Sequence, residues 1–131
     1  MFNLILAIYN VSNMIDVAGR RINLYTEHAL APYAKELAGV IKDCSQELEK
    51  AIQMLVSLNN AADITECCNT IRGYEDYADN LHTKAVNQLL LEQSDTLELI
   101  KHTDILSSLE KATDRYEHVT KVLEAILIKN S

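Results

Sequence analysis

Residues 64–91 read ITECCNTIRGYEDYADNLHTKAVNQLLL, and residues 104–129 read DILSSLEKATDRYEHVTKVLEAILIK. In the first stretch Cys67, Ile71, Tyr74, Ala78, Leu81, Ala85 and Leu89 recur at steps of three and four. Ile105, Leu109, Ala112, Tyr116, Val119, Leu123 and Ile126 do the same in the second. This is the period of a helical face turned towards a core. Gly73 is the one helix-weakening residue in either stretch, at about 1 kcal/mol against Ala, and it marks either a close helix approach or nothing. Two long helices are predicted, from about Ile64 to about Leu91 and from about Asp104 to Lys129. Asp63 is placed to cap the first. Gln93 to Asp95 read as a break, and Thr96 to about Lys101 as a short turn.

The same period extends towards the N-terminus. Leu4, Ile8, Val11, Ile15, Ala18, Ile22 and Tyr25 predict a helix from about Phe2 to about His28, stopped before Pro32. Leu37, Ile41, Cys44, Leu48, Ala51, Leu55 and Leu58 predict another from about Tyr33 to about Leu58, ended by Asn59-Asn60. Four long amphipathic helices with short links define an all-α fold, an antiparallel up-and-down bundle, in a single domain spanning 1–131.

Composition supports that reading and narrows the function. Three glycines, one proline, no tryptophan and 5% aromatic content disfavour sheet architectures, which need turn residues and β-branched runs. A net charge of -7 argues against nucleic acid as a partner, since phosphate backbones are bound by clustered Lys and Arg. Cations or basic surfaces suit this chain better. Cys44, Cys67 and Cys68 lack paired zinc-ligand spacing and read as reduced thiols at or near the core of a cytoplasmic protein. No apolar run is long enough to span a bilayer, and the opening residues lack the basic start of a signal peptide, so direct membrane insertion is not expected.

Two copies of Glu-x-x-x-Asp stand out: Glu75 with Asp79, and Glu110 with Asp114. Residues four apart on a helix stack on one face, and like charges there are mildly destabilising, so each pair invites a counter-cation. A helical wheel puts Glu75 and Asp79 about 80° to 120° off their seam, and Glu110 and Asp114 about 140° to 180° off theirs. A metal is therefore expected on the bundle surface or in a groove, held by Glu75, Asp79, Glu110 and Asp114. Asp16 and His82 are secondary candidates. Asp43 and Glu47, also four apart, have no other support and read as solvated charges, and Tyr74, Tyr77 and Tyr116 read as packing residues. The Glu-x-x-His motif of buried di-iron bundles is missing. No nucleophile with an adjacent base and no phosphate-cradling glycine loop is visible, so an enzyme is not expected. A purely structural helical interaction module with solvated carboxylates is the alternative.

Arg72-Gly73-Tyr74-Glu75-Asp76-Tyr77-Ala78-Asp79, then Ile100 to Leu106, Leu109 to Arg115 and Val122 to Lys129, resemble PhoU-like proteins. With Ile15-Asp16-Val17-Ala18, they are most similar to the branch often encoded beside Pit-type inorganic phosphate transporters. The resemblance implies two three-helix repeats whose acidic motifs bind iron, zinc or similar ions in multinuclear surface clusters. It also implies a regulatory or accessory role towards a phosphate transporter or signalling partner. Counterparts of the family's first two helices are lacking here. Asp16 then has no acidic partners, with Ser12 where a motif acid would stand, and the uncovered apolar surface favours a homo-oligomer.

Overall fold

The computed structural model describes residues 2–25, 32–57 and 61–130. They form four α-helices: α1 (Phe2–Tyr25), α2 (Ala34–Val56), α3 (Ala61–Glu92) and α4 (Thr96–Lys129). The expected all-α four-helix bundle is observed, and no strand occurs among the described residues. The predicted run of the first helix to His28, the side chain of seam residue Tyr25, seam residue Leu58 and the Asn59-Asn60 stop all lie outside what is described.

Helix α4 is the shared wall. It packs against each of the other three helices, α2 also packs on α3, and among the described residues α1 packs on α4 alone. The buried surface of α4 is correspondingly wide, adding Leu106, Ser108, Thr113 and Thr120 to the predicted seam. The hydroxyls of Ser108, Thr113 and Thr120 are satisfied within the helix. Ser108 donates to the carbonyl of Asp104 (2.8 Å), Thr113 to that of Glu110 (2.7 Å) and Thr120 to that of Glu117 (2.5 Å). Burying a hydroxyl is tolerable when it keeps such a partner.

Side chains tie the helices in register. Arg21 of α1 donates to Ser108 (2.5 Å) and pairs with Asp104 (3.2 Å) on α4. Arg72 of α3 pairs with Glu124 of α4. The buried Tyr116 hydroxyl is hydrogen-bonded to Ser45 of α2. Tyr33 enters α2 with a left-handed backbone (φ 61°), unfavourable for an aromatic residue, while its ring packs partly buried against the core.

The structure moves several predicted boundaries and positions. Thr96–Lys101 is no separate turn: α4 starts at Thr96, eight residues before Asp104, because the Asp95 side chain accepts from the backbone N–H groups of Leu97 (2.9 Å) and Glu98 (3.3 Å). An extended Asp whose oxygen takes orphan N–H groups is a strong helix start. Helix α3 starts at Ala61, which puts Asp63 in its first turn rather than at its cap. On α1 the buried line is Leu4, Ala7, Val11 and Ala18, and Ile15 is exposed. One packing partner buries only a narrow stripe. Tyr77 is exposed rather than packed.

All three cysteines are buried free thiols. Burial, reinforced by Asp43 and Glu75, pushes Cys44 up to about 12.

Two substitutions test this account. A Cβ built at Gly73 meets nothing within 4 Å, so the close-approach explanation fails and the glycine is only a helix weakener. Gly73→Ala is expected to raise stability by about 0.5–1 kcal/mol in denaturant titration. Asp95→Ala should cost about 1 kcal/mol through the lost cap, and an unchanged midpoint would show that α4 does not depend on it.

Candidate metal centre

The facing stripes of α3 and α4 carry the acids. On α3 the stripe runs Arg72, Glu75, Asp79, and on α4 it runs Glu110, Asp114, Glu117, Glu124. The helices are antiparallel, so Arg72 meets Glu124 and the next turns bring carboxylate against carboxylate. Carboxylate oxygens of Glu75, Asp79 and Glu110 lie within 4.8 Å of one another, as do those of Glu75, Asp114 and Glu117. Glu75 belongs to both groups.

All four sequence-predicted residues are thus brought together around Glu75. Sequence reasoning missed Glu117, three residues beyond Asp114 and seven beyond Glu110 on the same face. Its signal was that stripe, which a search for four-residue spacing passes over. Glu75 is also more central than the wheel placed it: only 7% exposed, it takes a buried position while its neighbour Tyr74 is half-buried. The reason is that α3 is covered from two sides, by α2 and α4, so its buried arc widens past the Tyr74 line.

The secondary candidates sit elsewhere. Asp16 forms an exposed ion pair with Arg20 on its own helix (2.6 Å) and belongs to no ligand group among the described residues. His82 is half-buried one turn beyond Asp79, and burial lowers its pKa against the opposing pull of Asp79. It too is outside both groups. Glu47, read as solvated, pairs with Lys50 (3.0 Å).

The electrostatics of the cluster are unbalanced. Burial, then Asp79 by charge and hydrogen bond, then Glu117, push Glu75 up to about 8. Burial, followed by Asp79 and then Asp114, pushes Glu110 up to about 7, with Lys111 opposing. No ion pair among the described residues reaches Glu75, Asp79, Glu110 or Asp114, whereas Glu117 has Lys121 at 3.6 Å. The donor set fits a cation: oxygens about 2.0–2.6 Å from one ion stand up to roughly 4–5 Å apart. Oxygen-only donors suit hard or borderline ions.

An α-helical bundle with an interhelical carboxylate cluster is the class these features define. No family model matches the chain. It is 31% identical over 96 residues to "UPF0111 protein YkaA" of Bacillus subtilis (strain 168), covering 73% of this chain and 46% of that protein. It is 24% identical over 131 residues to "Putative pit accessory protein" of Rhizobium meliloti (strain 1021), covering 98% of this chain and 61% of that protein. The chain therefore spans about half to three-fifths of the length of these curated relatives.

The raised carboxyls set a pH dependence. An unfolded Glu titrates near 4.3, so between about pH 4.5 and pH 8 the folded state holds more protons than the unfolded one. Stability then falls as pH rises through that window. Chelator-treated protein is expected to melt at progressively lower temperature from about pH 5 to pH 8.5, a loss of a few kcal/mol at most. Glu75→Gln should flatten the curve. A wild-type melting temperature independent of pH across this range would remove the case for proton-sharing in the cluster.

Proposed function

We propose that this chain is a PhoU-like accessory protein of inorganic phosphate transport, acting by binding rather than catalysis in the cytoplasm, as a homo-oligomer. Its α3–α4 carboxylates hold one or two hard or borderline cations, with iron ahead of zinc because the assembled donors are all oxygen. The observation that carries the metal half is Glu75, a buried carboxylate shared by two groups of three, with no basic side chain paired to it among the described residues. Support for the transport half comes from the likeness to a protein named as a pit accessory protein, together with the PhoU-like motifs. Among the described residues no helix is long and apolar enough to cross a membrane, which fits a partner that meets a transporter from outside the bilayer.

In this reading Glu75 bridges the two groups, Asp79 and Glu110 complete one, and Asp114 and Glu117 complete the other. A bound cation supplies the positive charge that the helices do not.

Elemental analysis of protein purified without chelators should find iron or a related metal near one or two ions per chain. Adding ferrous iron to stripped protein should raise its stability by about 2.7 kcal/mol at a hundredfold excess over the dissociation constant. Glu75→Gln should abolish that gain, and so should Asp79→Asn combined with Asp114→Asn, while both raise metal-free stability slightly by relieving repulsion. An equal metal response in wild type and in both variants would leave a solvated acidic face and no centre.

A further inference from the structure

The two carboxylate groups of the centre differ in what surrounds them. Both contain Glu75, only 7% exposed, so a cation in one takes a donor from the other. Among the described residues no ion pair reaches Glu75, Asp79 or Glu110. Lys111 follows Glu110 in sequence and opposes its upward shift without pairing to it. Asp79 lies within hydrogen-bonding reach of both Glu75 and Glu110, so the oxygens of this group are already gathered. The Glu75–Asp114–Glu117 group stands at the basic end of the stripe. Lys121, one turn along α4, holds its Nζ 3.6 Å from Glu117 Oε1, and Arg72 of α3 pairs with Glu124 beyond it.

We propose that Lys121 makes the two cation positions unequal: its ammonium competes for Glu117, so a first cation settles in the Glu75–Asp79–Glu110 group and a second enters the Glu75–Asp114–Glu117 group more weakly. This rests on the metal-binding reading above and adds the order of filling and the residue that imposes it. Counting charges gives the direction. Five carboxylates make up the two groups, and a divalent ion in the first leaves Asp114 and Glu117 as the only donors not shared with it. Of those two, Glu117 already has a cation beside it. An incoming ion must displace Lys121, and it also meets the positive charge of the ion on the other side of Glu75. The lysine can yield, because its side chain is 66% exposed and an exposed pair one helical turn apart is weak. Lys121 therefore weakens the second position without closing it. The centre then holds one firmly bound cation and one that exchanges.

Titration calorimetry on the stripped, intact chain tests this with manganese(II), an ion suited to carboxylate oxygens. A pH of about 8.5 keeps protons from holding Glu75 and Glu110. The wild type is expected to take two ions in unequal steps. Lys121→Gln should strengthen the second step about two- to fivefold, the reach of an exposed ion pair, and leave the first within about twofold. Glu117→Gln should remove the weak step, and Glu110→Gln the strong one. Lys121 is exposed, and an unchanged circular dichroism spectrum would confirm that each variant folds. Electron paramagnetic resonance should show an isolated manganese after the first step and a coupled pair after the second, since both ions bind Glu75. Two equal steps, a weak step that survives Glu117→Gln, a strong step that survives Glu110→Gln, or a second step unmoved by Lys121→Gln overturns this order and leaves the metal centre standing. A wild type that takes one ion supports the proposal if Lys121→Gln takes two, and overturns it if that variant also takes one. A wild type that binds neither manganese, iron nor zinc overturns the metal reading and this inference together.

Discussion

Enclosure of α4 by three other helices is the constraint that the rest of the structure accommodates. A helix covered on so much of its circumference would ordinarily be apolar nearly all round. This one instead buries Ser108, Thr113 and Thr120, each returning its hydroxyl hydrogen to a carbonyl of the preceding turn. Small hydroxyl residues let the neighbouring helices approach without leaving a polar group unpaired. The acids of α4 are then confined to what remains of its surface, and on the side facing α3 they meet the acids of that helix.

Along that side the balance of charge changes from turn to turn. At the level of Arg72 and Glu124 the acid has a guanidinium partner on the facing helix. One turn further, Glu75 meets Glu117 and Asp114, and a turn beyond that Asp79 meets Glu110; the bases nearby are Lys121, paired with Glu117, and Lys111, both on α4 itself. Burial and like charge act in the same direction there, holding Glu75 and Glu110 protonated well above the ordinary carboxyl range. Protonation takes up the negative charge that a cation at this cluster would need. Gains from a cation are largest where protons have left, towards alkaline pH.

What the sequence made legible follows from which signals are local. Four helices and their core-facing lines were readable because apolar spacing needs no knowledge of partners, and Cys44, Leu48, Ile71, Leu109 and Leu123 lie where it put them. The width of each buried arc was not readable, because it depends on how many helices cover it. This is why Glu75 was placed off its seam and why Ile15 was placed on one. Asp95 was legible in kind, being a capping residue in a break, but the predicted turn after it gave that cap no helix to start. Glu117 required the stripe on α4 to be read across to α3, since its pairing with Glu75 is a tertiary fact.

The centre is also local in a second sense. Every residue in it comes from two consecutive helices joined by the short Gln93–Asp95 link, whose relative register is held by the Asp95 cap at one end and the Arg72–Glu124 pair further along. Helix α2 closes the other side of α3, so the cluster needs nothing from α1. Arg21 fastens α1 to Asp104 and Ser108, away from Glu110 and beyond the cluster's edge. The fold thus keeps the carboxylates between α3 and α4 apart from α1, and α4 is the element that packs against both α1 and α3.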